Sequence, residues 1–172
     1  MIDAILPRGS AILDAGCGVG RVAAYLADQG HQAVGVDADP VLIEAGHELY
    51  PNLPLVVIDL AELTSEALTD AGLPGEFDLV VCPGNVMHFV AEGSEPRVVG
   101  RLAGVLRSGG RAVFGFATEA EAGPPEGRTY AIADLDRDAA AAGWTLEHRF
   151  GTWRLDPFAP DSTWAVSVYR AS

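Results

Sequence analysis

The sequence predicts a doubly wound α/β domain, and three observations lead there. Short apolar runs alternate with helical stretches along most of the chain. The runs are apolar at successive positions, which suits strands of a parallel sheet covered by helices on both faces. The first run passes through clustered glycines directly into a helix, the kind of turn by which open α/β sheets approach a ligand. Right-handed crossovers between parallel strands then place the helices on both sides. At 172 residues there is room for one domain with a substantial core, and not comfortably for two.

The elements follow in order. Residues 11–15 read as the first strand, and a helix follows the glycines over residues 21–29. Residues 32–37 form the second strand. Asp39-Pro40 opens the next helix, because Asp caps free amide groups and Pro suits a first turn. Residues 55–59 give a third strand and residues 77–82 a fourth. A helix over residues 95–107 leads through Ser108-Gly109-Gly110 into a fifth strand, residues 111–116. After Pro124-Pro125 one more helix, residues 132–142, stops at Gly143. Two alternating runs, 144–153 and 164–169, leave no room for a helix between them and are expected to pair antiparallel at one edge. Residues 123–127 are the obvious flexible stretch, and residues 117–129 are a candidate flap.

Composition narrows the function. The net charge is −13, lysine is absent and the eleven basic residues are scattered arginines, which disfavours a nucleic-acid substrate. No apolar run approaches the ~18 residues of a membrane span. Residues 1–7 lack the basic stretch and long apolar core of a secretory signal, so the cytoplasm is the expected location. Cys17 and Cys82 are the only cysteines, and no disulfide framework is expected. No cluster has metal-ligand spacing.

Gly16-Cys17-Gly18-Val19-Gly20 between a strand and a helix is a nucleotide-binding turn. Its charge points to the kind of nucleotide. A dinucleotide fingerprint requires a further glycine where this chain has Arg21. A pyrophosphate over the helix N-terminus would also meet Asp14, two residues before the first glycine. A ligand carrying an ammonium and a sulfonium is attracted instead. At ~4 Å and an effective dielectric of about 20, such a charge pair is worth roughly 4 kcal/mol before desolvation.

These residues resemble the class I S-adenosylmethionine-dependent methyltransferases. The matching stretches are residues 12–21, Gly35-Val36-Asp37-Ala38-Asp39-Pro40, Val57-Ile58-Asp59-Leu60, residues 77–81 and residues 106–111, in family order. The resemblance implies a Rossmann-like three-layer α/β sandwich with a mostly parallel seven-stranded sheet of order 3-2-1-4-5-7-6, strand 7 antiparallel. It implies that Asp14, Gly16, Cys17, Gly18 and Arg21 belong to the loop that holds the methionine end of the cofactor. Asp37 would accept hydrogen bonds from both ribose hydroxyls, as a carboxylate's two oxygens allow. Ala38 would lie beside adenine, Asp59 would take its amino group, and the Leu60 backbone would read the ring edge. The turn Pro83-Gly84-Asn85 would pass near the sulfonium.

The implied reaction is methyl transfer from S-adenosylmethionine to a small-molecule acceptor by in-line displacement, in which positioning supplies much of the catalysis. A hydroxyl or protonated-amine acceptor benefits from a base, and His88 is the candidate; packing or capping of a short helix is its alternative role. Cys17 reads as a small loop filler and Cys82 as a buried strand residue. Trp153 and Phe158 are candidates to line the acceptor pocket or to serve as core or dimer contacts. Only about ten residues precede the first strand, so the family's N-terminal cap helices are reduced or missing here and a monomer or homodimer is expected. A nicotinamide-dependent oxidoreductase and a non-catalytic cofactor-binding module that needs a partner chain are the competing readings.

Overall fold

The computed structural model describes residues 6–119, 123–125 and 127–172. β1 (Ala11–Ala15) is buried at every position, and β4 (Phe77–Cys82) at all but Asp78, as expected of central strands covered on both faces. β2 (Gln32–Asp37) pairs parallel to one side of β1 and β4 to the other, and β3 (Leu55–Val57) extends the sheet beyond β2. β5 (Leu106–Ala117) is parallel to β4. β7 (Trp164–Ala171) inserts antiparallel between β5 and the edge strand β6 (Trp144–Phe150). The order is β3-β2-β1-β4-β5-β7-β6, as the resemblance implied.

Helices cover both faces. α1 (Arg21–Asp28) and α2 (Pro40–Leu49) bury Ala23, Leu26 and Ile43 against Ile12, Leu79 and Val81. α3 (Ser65–Asp70), α4 (Glu95–Gly104) and α5 (Ile132–Ala141) bury Leu68, Val98, Leu102 and Leu135 against Leu13, Val80 and Phe114 on the other. Alternate β1 residues therefore feed different cores, the period of two acting as it must. Asp39 caps α2 by accepting the Val41 N–H at 2.8 Å, with Pro40 in the first turn.

Several boundaries differ from the sequence reading. β3 stops at Val57 because Asp59 turns to accept the Ala61 N–H and starts a 3-10 turn, Leu60–Glu62. The helix before β5 stops at Gly104, three residues early, because Leu106 already pairs with Phe77. β6 ends at Phe150, where the Gly151 N–H turns to the Asp156 carbonyl at 2.8 Å. α3 had no sequence assignment. It is six residues long and is started by Thr64, whose hydroxyl accepts the Ala67 N–H at 3.0 Å.

Residues 6–10, before β1, contain no helix. The expectation of reduced cap helices also concerns residues 1–5, which lie outside the described residues, as do parts of the expected flap and flexible stretch. Over β5 and β7, Phe150, Trp153 and Trp164 pack against Val113, Val166 and Val168. Among the described residues no helix is long and apolar enough to cross a membrane.

Candidate functional site

The chain leaves β1 into a loop fastened to β2: the N–H groups of Gly16 and Cys17 both donate to the Val36 carbonyl, at 2.9 and 3.0 Å. Gly16 and Gly18 take φ of +74° and +56°, a region that costs side-chain-bearing residues strain. Their surroundings differ. A Cβ on Gly16 would meet Val86, whereas nothing lies within 4 Å of the Cβ position at Gly18. The loop thus offers bare backbone to a ligand at Gly18.

Three aspartates at the carboxyl ends of β1, β2 and β3 surround this loop. Asp14 is 1 % exposed. Its Oδ2 accepts the Ala23 N–H at 3.0 Å, and its Oδ1 has no hydrogen-bond partner. Burial raises its pKa to about 7, and the charge of Asp37 pushes the same way. Asp37 closes β2, its Oδ2 accepting the Gly18 N–H at 2.8 Å and its Oδ1 the Asp39 N–H at 3.0 Å. Each oxygen retains acceptor capacity for a ligand hydroxyl. Asp59 uses one oxygen to cap its turn.

The loop opens onto a cleft of about 560 Å³. Asp37, Asp39 and Asp59 give it an acidic wall; Ala38, Leu42, Leu60, Val86, Phe89, Val90 and Ala91 give it an apolar one. Among the described residues that line it, none is basic. A cleft of this make-up suits a flat, apolar ring system carrying hydroxyls and positive charge. The unpartnered Asp14 oxygen and the bare backbone at Gly18 fit S-adenosylmethionine for the same reason: a buried acceptor beside the loop needs a donor, best a cationic one.

Of the residues singled out from sequence, Gly16, Gly18, Asp37, Ala38, Asp59, Leu60 and Gly84 line this cleft together. Asp14 lies buried beside the loop. Cys17 packs its sulfur on Gly35, where a Cβ would stand 2.8 Å away, and burial pushes its thiol pKa far up. Arg21 starts α1 and is exposed outside the cleft. Pro83 and Asn85 flank Gly84. The Asn85 side-chain oxygen accepts the Ala117 N–H at 2.8 Å.

His88 is buried and does not line the cleft. Its ring lies 5.4 Å from that of Phe116, and its Nε2 has no hydrogen-bond partner. Desolvation holds its pKa below the usual histidine range, partly offset by the Ala117 backbone. Trp153 lies away from the cleft on Gly115, and Phe158 lies under the Arg149 guanidinium at 5.8 Å. Asp39, Leu42, Val86, Phe89, Val90 and Ala91 line the cleft without having been assigned to it from sequence. For Asp39 and Val86, nearness in sequence to Asp37 and Gly84 was the available signal.

Known proteins share this fold. A family model described as a methyltransferase domain matches residues 12–110. A TehB-like SAM-dependent methyltransferase of Corynebacterium glutamicum superposes with a TM-score of 0.83 at 37 % identity, covering 99 % of this chain and 85 % of that one. The 2-heptyl-1-hydroxyquinolin-4(1H)-one methyltransferase of Mycobacteroides abscessus is 38 % identical over 72 residues, 41 % of this chain and 30 % of that protein. A ubiquinone biosynthesis O-methyltransferase of Pseudomonas paraeruginosa is 30 % identical over 96 residues, 55 % of this chain and 40 % of that protein. The matches therefore span less than half the length of these two relatives.

Proposed function

Since the chain belongs to the class I S-adenosylmethionine-dependent methyltransferase family, we propose that it methylates a hydroxyl group of a small, largely apolar molecule. The observation that carries the cofactor half of this reading is the buried Asp14 oxygen left without a partner beside the glycine loop. S-adenosylmethionine supplies a methyl group already activated on its sulfonium. Asp14 and the Gly16–Gly18 backbone hold the ammonium end. Asp37, whose oxygens already order Gly18 and Asp39, receives the ribose hydroxyls. Asp59 takes the adenine amino group, Ala38 and the Leu60 backbone flank the ring, and the turn at Gly84 passes beside the sulfur.

The acceptor half rests on two supports. The named relatives include one for a hydroxyquinolone and an O-methyltransferase of ubiquinone biosynthesis. His88 is kept neutral by burial and has an unpartnered Nε2; it stands outside the cleft lining, so it receives the acceptor's proton only from an acceptor that enters beside its ring. Holding the acceptor oxygen about 3 Å from the methyl carbon, in line with the breaking bond, supplies much of the rate. The free thiols of Cys17 and Cys82 agree with a cytoplasmic location, and the charge of −13 disfavours a nucleic-acid acceptor. We assign the working species as a monomer or homodimer, which sedimentation checks.

Calorimetric titration with S-adenosylhomocysteine tests the cofactor half, and no heat of binding would end it. Transfer of labelled methyl to hydroxyquinolones and substituted phenols tests the acceptor half. Binding without turnover on any of them would favour a module that needs a partner chain.

A further inference from the structure

β5 runs on past the end of β4. The last register pair is Cys82 with Phe114, so residues 115–117 have no strand on that side. The turn after β4 takes the strand's place. The Asn85 N–H donates to the Gly115 carbonyl at 3.2 Å, and the Asn85 side-chain oxygen accepts the Ala117 N–H at 2.8 Å. The Asn85 carbonyl in turn accepts the His88 N–H at 2.8 Å. Asn85 thus grips both the strand end and the backbone of His88, whose ring lies on Phe116 between the two gripped positions. Asn85 sits at φ +71°, a conformation that Asn and Gly adopt more readily than other residues.

We propose that Asn85 is a positioning residue for His88, holding the buried imidazole and its unpartnered Nε2 in one place against Phe116. This rests on the reading of His88 as the group that receives the acceptor's proton. His88 is also held from the far side, where the Arg128 N–H donates to its carbonyl at 2.9 Å and Gly127 packs on its Cβ. Those contacts fix its main chain. The ring's seat depends on where residues 115–117 lie, and that is what Asn85 sets.

The test is NMR on the full chain labelled at its four histidines, with His88 assigned by the signal lost in His88→Gln. In the wild type the His88 ring protons are shifted upfield by Phe116, and the Ala117 amide is protected from exchange. Asn85→Gly keeps the backbone conformation and removes the carbonyl; the upfield shift and the amide protection are both lost. Asn85→Asp restores an accepting oxygen and both signals. Unchanged His88 ring signals in Asn85→Gly would overturn the proposal. So would free exchange of the Ala117 amide in the wild type, a result that needs no variant to fold. Methyl transfer by His88→Gln separates the two readings: an undiminished rate removes the proton-accepting role, while the ring signals still report whether Asn85 seats the imidazole.

Discussion

Gly16 and Val86 meet where the loop after β1 faces the turn after β4: a Cβ built on Gly16 would stand 2.4 Å from the nearer Val86 methyl. The two halves of the cleft are in contact here, with no room for an intervening side chain. Gly16→Ala forces Val86 aside and strains a residue at φ +74°. It should cost about 1–3 kcal/mol of stability and weaken S-adenosylhomocysteine binding at least tenfold, read by thermal melts and calorimetry. Wild-type affinity in this variant would mean that the loop is not shaped by Val86.

Asp14→Asn should separate stability from binding. The carboxylate pKa stands at about 7 in the folded chain against an ordinary 3.8. The folded state therefore holds more protons than the unfolded one between these values, and stability falls as pH rises through that window. Asn keeps an oxygen for the Ala23 N–H and removes the buried charge. The variant should be more stable than wild type at pH 8 by about 2–4 kcal/mol, equally stable near pH 4, and at least tenfold weaker for S-adenosylhomocysteine. A variant less stable at pH 8 would refute the burial argument.

Cofactor affinity should depend on pH with a definite sign. A bound ammonium favours the charged form of Asp14, so binding releases a proton when pH is below about 7. Affinity for S-adenosylhomocysteine should be about tenfold weaker at pH 6 than at pH 8. The dependence should vanish in Asp14→Asn. Calorimetry in buffers of different ionisation enthalpy measures the proton directly.

Asp37→Ala removes the two oxygens proposed to accept the ribose hydroxyls and releases the Gly18 and Asp39 amides. Hydrogen bonds to a charged group are each worth about 1.5–3 kcal/mol, so losing both should lower affinity by about a hundredfold or more. Asp37→Asn, which keeps one acceptor, should lose less. Equal affinity in the alanine variant would mean that the ribose is held elsewhere.

The sheet was readable because its signals are local. Apolar runs at successive positions gave each central strand, and Asp39-Pro40 announced α2 through its own cap. α3 was not readable, since six residues carry too little periodicity against the Thr64 cap. Asp14, Asp37 and Asp59 could be named because the family resemblance gives roles to residues at these strand ends. Phe89, Val90 and Ala91 could not, because what brings them to the cleft is the fold of the turn after Gly84. Trp153 shows the opposite case. Its aromatic character left pocket lining and core packing both open, and it fills the space that Gly115 leaves by lacking a side chain.

The bond from the Gly18 amide to Asp37 joins the part of the cleft assigned to methionine to the part assigned to ribose. The two halves of the ligand are thus read by one shared element, and each should report on the other. Adenosine alone, by bonding to Asp37 and so strengthening or weakening its grip on Gly18, would change the loop's affinity for free methionine, and methionine would change that for adenosine by the same factor, as linkage demands. A protein built this way resists piecemeal occupancy: fragments and partial analogues hold weakly, and only a molecule that spans both halves gains the full grip.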